Sequence, residues 1–223
     1  MSTVSAPAQI MAPGSGAHFN TMVSVSTALN GLMNPTRAVM YVVAQLLGGL
    51  CGAVVINYVA GGMENPLVEA TGLGGCSFGD MPAGRAFVAE LTVATFLLWA
   101  FYGLAFDPQQ FQVFGPVLAP IVLVLVIMFA ILTSAAVMPG LGFNIVRCAA
   151  PAIVSGKHLD QLWIYIVADL TAAVIHAGYY RLVPPQHVVE LEEHLEDSGA
   201  GKRNDDDDGG GVGAGAGEGA GAQ

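Results

Sequence analysis

Residues 140–147 read Gly-Leu-Gly-Phe-Asn-Ile-Val-Arg, and residues 16–20 read Gly-Ala-His-Phe-Asn. Both stretches contain Gly-x-x-Phe-Asn, and the two asparagines, Asn20 and Asn144, are 124 residues apart. The same offset aligns several residues of the apolar segments that follow, without a gap. The pattern therefore indicates an internal duplication.

Each of these asparagines follows a glycine-rich turn and precedes an apolar segment too short to cross a bilayer. Asparagine is a good N-cap, so we expect two half-helices, at about residues 20–32 and 144–155. Their positive dipole ends would point inward, where irregular backbone is stable only if it lines a wet cavity or packs in protein. The alternative is two surface loops with capped interfacial helices. Arg147, three residues after the second asparagine, favours a pore.

The composition of the 223-residue chain is that of a membrane protein, because 54% of residues are hydrophobic, only 11% are charged and the mean hydropathy is +0.61. A soluble chain carries about 25% charged residues. Four stretches are long and apolar enough to span a bilayer. They are residues 38–61, 86–105, 115–138 and 162–182, as approximate bounds.

The net charge of −10 belongs mostly to the end of the chain, since ten of the 17 acidic residues follow residue 186, where only two basic residues oppose them. The apolar body is nearly neutral and has no basic patch, which argues against a nucleic-acid partner. We expect residues 1–14 to be flexible. We expect residues 184–223 to form an acidic, Gly/Ala-rich cytoplasmic tail that is mostly disordered.

The cysteines and histidines do not indicate a catalytic or metal site. Cys51, Cys76 and Cys148 are far apart, contain no Cys-x-x-Cys and are odd in number, which argues against a disulfide framework. We therefore expect buried or membrane-facing thiols. The five histidines form no spaced acid–base pair, so the sequence predicts no enzyme, no bound metal and no cofactor.

Residues 15–20 resemble the approach to the first Asn-Pro-Ala box of the major intrinsic protein family, the aquaporins and aquaglyceroporins. Residues 140–147 resemble that family's second box with its filter arginine. The resemblance covers about residues 14–183. It implies an all-α integral membrane bundle with two re-entrant half-helices, in which about four of the family's six spans are present.

The resemblance also implies a function, namely passive transport of water and small uncharged solutes such as glycerol. Asn20 and Asn144 would donate hydrogen bonds to solute in single file, and Arg147 would carry the positive charge of the filter. Glu90 would lie beneath the second half-helix and hold its loop, because a lone intramembrane carboxylate needs such a role. Gln45 would form an interhelical hydrogen bond.

The expected assembly is a homotetramer in the lipid bilayer, or a hetero-oligomer with full-length family members. The expected location is the plasma membrane or an intracellular membrane, with several spans and both termini cytoplasmic.

Both boxes depart from Asn-Pro-Ala, because Thr21 and Met22 follow the first asparagine and Ile145 and Val146 follow the second. Thr21 and Ile145 are both β-branched, so part of the packing that the family's prolines make across the midplane would be retained. Met22 and Val146 are larger than alanine, and we expect them to narrow or tilt the site.

Two leucines fall on filter positions of the family, Leu132 and Leu141. With no histidine there, the filter would combine Arg147 with apolar walls, a pattern that leans towards small uncharged solutes. The plain alternative for Leu132 is a core leucine. Asp169 lies within the last span, where it would face the bundle interior and bond a neighbouring helix, or be protonated.

The repeat offset places the counterpart of Glu90 upstream of Met1. We therefore expect that the family's first two spans are missing here, that the chain is N-terminally truncated, and that a longer native product conducts. Two alternatives stay open. The chain is a non-conducting member that assembles with full-length channels, or it is an unrelated four-span protein with a coincidental repeat.

Overall fold

The computed structural model of the protein describes residues 16–106, 108–135 and 140–184, and the regular structure of these ranges is entirely helical. The helices are, in chain order, α1 (Thr21–Leu29), α2 (Pro35–Val59), α3 (Pro66–Thr71), α4 (Ala83–Phe101), α5 (Pro108–Ala135), α6 (Ile145–Ser155) and α7 (Leu162–Leu182). Short 3₁₀ turns occupy Gly62–Glu64 and Leu159–Gln161, and a π-helical turn, Tyr102–Phe106, follows α4. The predicted N-terminal segment, residues 1–14, lies outside the described residues. So does the predicted tail, residues 184–223, except for Pro184.

Four helical segments are long and apolar enough to cross a bilayer. They are Pro35–Val59, Ala83–Phe106, Val117–Ser134 and Leu159–Leu182. The third lies within helix α5, which begins at Pro108 and is broken at Gly115, whose φ of 65° and ψ of 174° are not helical. Glycine adopts this conformation without steric penalty, so the membrane-crossing part begins after the break.

Helices α1 and α6 are too short to span, and each begins directly after one of the two repeated asparagines. Asn20 and Asn144 have extended backbones, and their side-chain oxygens accept hydrogen bonds from Met22 N and Val146 N, respectively. This is ordinary N-cap geometry. Gly156 ends α6 in the left-handed conformation, with its N–H bonded to the carbonyl of Ala152.

The half-helices are held between longer helices. The first half-helix, α1, packs against α2 and α7, whereas the second, α6, packs mainly against α2 and also against α7. The main core lies where α1, α4 and α7 meet, and its largest fully buried side chains include Met22, Leu97, Leu98, Ile164 and Tyr165. Both half-helix N-termini therefore lie inside the bundle, where their loops can contact each other.

The spanning helices that follow the two half-helices, α2 after α1 and α7 after α6, differ in how much of their surface is covered by the rest of the protein. Of the 18 most apolar consecutive residues in α2, 6% are buried inside the protein. The corresponding share is 44% in the segment that contains α7. Helix α4 packs along α7 and accounts for much of this difference.

Candidate functional site

The two half-helices meet N-terminus to N-terminus through reciprocal hydrogen bonds. Asn20 Nδ2 donates to the carbonyl of Phe143 at 2.7 Å, and Asn144 Nδ2 donates to the carbonyl of Phe19 at 2.8 Å. An amide nitrogen carries two hydrogens, and each of these contacts uses one. The arrangement therefore joins the two loops and leaves each asparagine one amide hydrogen that these two contacts do not use. Asn144 lines the cavity described below, whereas Asn20 is not among its lining residues.

Three of the four residues that replace Pro and Ala contact neighbours outside the two boxes. Thr21 Oγ1 donates to Gln45 Oε1 at 2.9 Å, and Met22 is fully buried in the main core. Val146 packs against Gly49 of α2, where a Cβ on the glycine would overlap Val146 Cγ1. The expected packing of Thr21 against Ile145 stays a prediction, and the contact that the structure shows for Thr21 is its hydrogen bond to Gln45 on α2.

Gln45 is the anchor of the first loop. Its Nε2 donates to the carbonyl of His18 and, at 3.0 Å, to Ser24 Oγ, while its Oε1 accepts from Thr21. One neutral amide thus connects α2 to both the loop and the first turns of α1. This is the interhelical role that the sequence predicts for the residue.

Glu90 is the anchor of the second loop, and it is fully buried on α4. Its Oε2 accepts from Gly142 N at 2.9 Å, and its Oε1 accepts from Phe143 N. These two N–H groups lie directly before the second asparagine, so the carboxylate sets where that asparagine begins α6. A carboxylate accepting two backbone N–H bonds is well satisfied despite its burial.

Asp169 of α7 is fully buried beside Glu90. Neither of its oxygens has a hydrogen-bond donor among the described residues, and the same holds for the hydroxyl of Tyr165 one turn earlier. Two facing carboxyl groups hydrogen-bond only when one of them carries a proton. Asp169 therefore faces the bundle interior, and its neighbour there is a second carboxyl group.

Arg147 extends from the first turn of α6 and lines a cavity. Its Nη1 donates to the carbonyl of Leu141 at 2.9 Å and contacts Cys76 Sγ at 3.1 Å. The guanidinium is therefore held on one side by its own loop and on the other by the loop between α3 and α4.

The expectation of three free thiols is wrong, because Cys76 and Cys148 form a disulfide with an S–S distance of 2.00 Å. The two residues are 72 positions apart, and an odd cysteine count does not exclude one bridge with one residue left over. Cys51 is that residue, and it is free and exposed on α2.

A cavity of about 610 Å³ runs along α2 and the second half-helix. Its walls are mostly apolar, and its polar lining residues are His18, Tyr41, Gln45, Asn144 and Arg147. Gly48 and Gly52 also line it, and a Cβ added to either glycine would meet no atom within 4 Å, so the small-residue face of α2 widens the cavity. The close helix approach is made at Gly49 instead.

The structure does not bring the two filter leucines to this cavity. Leu141 is 5% exposed and belongs to the main core, while its carbonyl accepts from Arg147. Leu132 is 69% exposed on α5. Neither side chain is among those that line the cavity, so their role as filter walls stays a prediction that this geometry does not support.

His18 is a cavity residue that sequence reasoning missed. Its ring packs edge-on against Tyr41 and Phe106, with centroid distances of 5.7 and 5.6 Å, and its Nδ1 lies 3.5 Å from Ser24 Oγ. Its position two residues before the first asparagine was the available indication. It adds a polar, aromatic-packed side chain at the end of the cavity next to α1.

The comparisons with known proteins agree with this geometry. The family model described as major intrinsic protein matches residues 2–180. The chain is 28% identical over 176 residues to Aquaporin Z of Photorhabdus laumondii, which covers 76% of this chain and 73% of that protein. The hypothesis of an unrelated four-span protein is therefore wrong.

Two plant proteins from Oryza sativa subsp. japonica are similarly related. Probable aquaporin TIP2-2 is 31% identical over 169 residues, or 76% of this chain and 63% of the relative. Aquaporin NIP1-2 is 30% identical over 178 residues, or 76% and 54%. The chain thus spans between about half and three quarters of the length of these three relatives.

Proposed function

Because the chain belongs to the major intrinsic protein family, whose members are passive channels and not enzymes, we propose that it conducts water and small uncharged solutes such as glycerol. The observation that carries this proposal is the reciprocal pair of hydrogen bonds between Asn20 and Asn144 and the opposite loops, beside a cavity that Arg147 lines. The chain is an integral, multi-pass membrane protein in a lipid bilayer.

The mechanism follows from where the donors and charges lie. A solute passing the asparagines exchanges hydrogen bonds with water for hydrogen bonds with the two amides, so a neutral polar molecule crosses at little cost. The positive ends of α1 and α6 and the guanidinium of Arg147 raise the energy of a cation at the same place. The other polar lining residues, His18, Tyr41 and Gln45, are few and uncharged against mostly apolar walls, so an ion finds no full substitute for its hydration shell.

The test is stopped-flow light scattering on proteoliposomes that contain the full chain, with water, glycerol and proton fluxes measured on the same preparation. We expect water and glycerol flux above that of protein-free vesicles. In Arg147→Ala we expect proton leak to rise roughly tenfold, the factor that about 1.4 kcal/mol of lost barrier produces. Arg85→Ala, at an exposed arginine, is the matched control and is expected to behave as wild type.

Absence of flux in vesicles that contain correctly folded wild-type protein would contradict the proposal. It would favour the alternative of a non-conducting member that assembles with full-length channels. Co-reconstitution with a conducting family member would then test that alternative directly.

We also propose an orientation. The Glu69–Lys157 ion pair of 3.9 Å and the Cys76–Cys148 disulfide join the α3–α4 region to α6 and the residues after it, so these lie on one side of the membrane. Disulfides persist in oxidising compartments, so this side would face the exterior or the lumen, in the plasma membrane or an intracellular membrane. The end of α7, where Arg181 Nη2 donates to the carbonyl of Leu29 at 2.5 Å, would then be cytoplasmic, as would both termini.

For assembly we propose a homotetramer with one pathway per subunit, or a hetero-oligomer with full-length members. The exposed apolar surface of α2 supports association within the bilayer. Native mass spectrometry from detergent would give four copies for the first case, whereas a stable monomer would contradict both.

A further inference from the structure

The disulfide lies next to the residue that carries the positive charge of the proposed filter. Cys148 directly follows Arg147 on α6, and Cys76 belongs to the loop between α3 and α4. Both cysteines are buried, at 1% and 4% exposure. The bridge therefore fastens the loop to the first turn of the second half-helix.

One sulfur of the bridge also contacts the guanidinium. Arg147 Nη1 is shared between the carbonyl of Leu141 at 2.9 Å and Cys76 Sγ at 3.1 Å. Sulfur is a weak acceptor, so the energy of this contact is small, but it fixes the direction in which the guanidinium leaves the helix. The bridge thus defines one of the two positions between which Nη1 is held.

The other acceptor of Arg147 Nη1, the carbonyl of Leu141, also depends on the bridge. Gly142 lies so close to the disulfide that a Cβ there would overlap Cys148 Sγ, and its neighbour Leu141 supplies the carbonyl that Arg147 uses. Gly140 packs in the same way against the backbone of Ser77, one residue after Cys76. Residues 140–142 are therefore shaped around the bridged loop.

The bridged loop is otherwise held by few polar contacts. Ser77 Oγ and Phe78 N both bond Gln161 Oε1, each at 3.1 Å. These contacts position the loop over the start of α7, and among the described residues the acceptors that Arg147 uses are the carbonyl of Leu141 and Cys76 Sγ. Loss of the disulfide would therefore act first on the arginine.

We propose that the Cys76–Cys148 disulfide is a redox-sensitive positioning bridge for Arg147, so that its reduction changes the selectivity of the channel. This inference rests on the proposed function. In the reduction, a dithiol gives two electrons and two protons to the bridge. The S–S bond breaks, Cys76 and Cys148 become thiols, and the dithiol closes to its own disulfide.

The bridge lies directly behind the wall of the cavity, although neither cysteine is among the residues that line it. Gly74, Arg147 and Pro151 all line it, and a Cβ at Gly75 would lie 3.2 Å from Pro151 Cβ, so the segment before Cys76 forms part of the cavity wall. Once reduced, the loop is no longer covalently tied to α6, and the guanidinium is free to turn into the cavity.

The first experiment counts thiols and needs no transport. Protein in detergent is incubated with or without dithiothreitol and then unfolded in SDS in the presence of excess iodoacetamide, so that every free thiol is labelled, and its intact mass is measured. We expect one label, on Cys51, without reductant and three labels with it, because only the bridge is protected. Three labels without reductant would overturn the inference at its premise.

The second experiment measures the position of Arg147 through its reaction with phenylglyoxal, followed by peptide mass spectrometry. We expect Arg147 to react about fivefold faster after reduction, the factor that loss of about 1 kcal/mol of hydrogen bonding produces. Cys76→Ala, Cys148→Ala and the double variant are expected to show the same increase without reductant, and alanine leaves no acceptor in place of the sulfur. Arg85, in the same samples, is the internal control, and Cys51→Ser is the control variant.

The third experiment measures the ratio of glycerol to water flux in proteoliposomes. We expect dithiothreitol to raise this ratio about fivefold in wild type and in Cys51→Ser, and to have no effect in the double variant. An unchanged ratio in wild-type vesicles that do conduct would overturn the inference, as would a reductant effect that persists in the double variant.

Failure of the proposed function is distinguishable from failure of this inference. If wild-type vesicles show no flux, the channel proposal fails, while the rate at which Arg147 reacts still decides whether the bridge positions it. Equal rates before and after reduction would overturn the bridge's role whatever the fluxes are.

Discussion

The two half-helices, α1 and α6, begin with the same asparagine cap but are held by different chemistry. The loop before α1 is fastened by the neutral amide of Gln45, which lies on the following helix. The loop before α6 is fastened by the carboxylate of Glu90, which lies on a preceding helix, and by a disulfide. The shared cap and the reciprocal hydrogen bonds are thus compatible with two unrelated supports.

The long helices that follow the half-helices, α2 and α7, also differ in their surroundings. Helix α7 is covered by α4 and carries buried polar side chains, whereas most of α2 is exposed and apolar. The two asparagines have the same geometry although the helices around them differ, so we infer that this geometry depends mainly on the local anchors, Gln45 and Glu90. Substitutions at each anchor test this dependence, and their expected effects on stability differ widely.

Glu90→Gln is expected to have the largest effect, lowering the free energy of unfolding by about 3 kcal/mol. Glutamine has one acceptor oxygen for the two backbone N–H groups of Gly142 and Phe143, and its own NH₂ would face one of them. Unfolding in mixed micelles by SDS titration, followed by tryptophan fluorescence, measures the change.

The matched control is Glu69→Gln, at an exposed carboxylate in a surface ion pair with Lys157. Such pairs contribute little, so we expect a change within about 0.5 kcal/mol. Equal effects of the two substitutions would mean that the second loop does not depend on the buried carboxylate, and the contrast between the anchors would fail.

Much of this arrangement could be predicted from the sequence, because it rests on local patterns. The repeated Gly-x-x-Phe-Asn motif marked both caps, and the apolar runs marked the spans. Gln45 was identifiable because a polar residue inside an apolar span needs a partner, and the role of Glu90 was implied by the family resemblance.

The rest depends on contacts between distant segments, which no local pattern encodes. Cysteine counting pointed away from the Cys76–Cys148 bridge, since one pair among three cysteines is visible only once the α3–α4 loop folds over α6. Leu141 contributes its carbonyl instead of its side chain, and a residue's identity does not predict that. The close helix approach at Gly49 is likewise set by where Val146 lies.

Gly49→Ala is expected to have the second-largest effect, lowering the free energy of unfolding by about 2 kcal/mol. The added methyl group would overlap Val146 Cγ1 and lie 3.3 Å from Ala150 Cβ, and the stiff valine cannot rotate away cheaply. Because α2 contacts α6 at this point, the substitution tests whether the exposed helix of the first half supports the second box.

Gly48→Ala is the matched control for this prediction. It lies one residue earlier on the same helix, and a methyl group added there would meet no atom within 4 Å, so we expect a change within about 0.5 kcal/mol. The same SDS titration compares the two variants. A similar loss of stability in both would show that the contact with Val146 is not the cause, since alanine is otherwise the better helix former.

Gln45→Leu is expected to lower the free energy of unfolding by about 1 kcal/mol, since hydrogen bonds between membrane helices contribute about that much. The effect should be smaller than that of Glu90→Gln, because the anchor is neutral and only half-buried. Thr21→Val, which keeps the shape of the side chain, removes its hydrogen bond to Gln45 alone. A double-mutant cycle between the two positions should give a coupling of several tenths of a kcal/mol, and purely additive effects would show that this bond contributes nothing.

Asp169→Asn is expected to have the smallest effect and the opposite sign, raising the free energy of unfolding by about 0.5 kcal/mol. Asparagine keeps the size of the side chain, removes a buried carboxyl group that has no donor among the described residues, and offers an N–H to Glu90. Asp160→Asn, at an exposed aspartate before α7, is the matched control and should leave stability unchanged. The gain at position 169 should disappear in a Glu90→Gln background, because the new donor then faces an amide and not a carboxylate. A loss of stability in the single variant would mean that the two acids of the second half support each other through a shared proton, an interaction for which the first half, with its single amide, has no counterpart among the described residues.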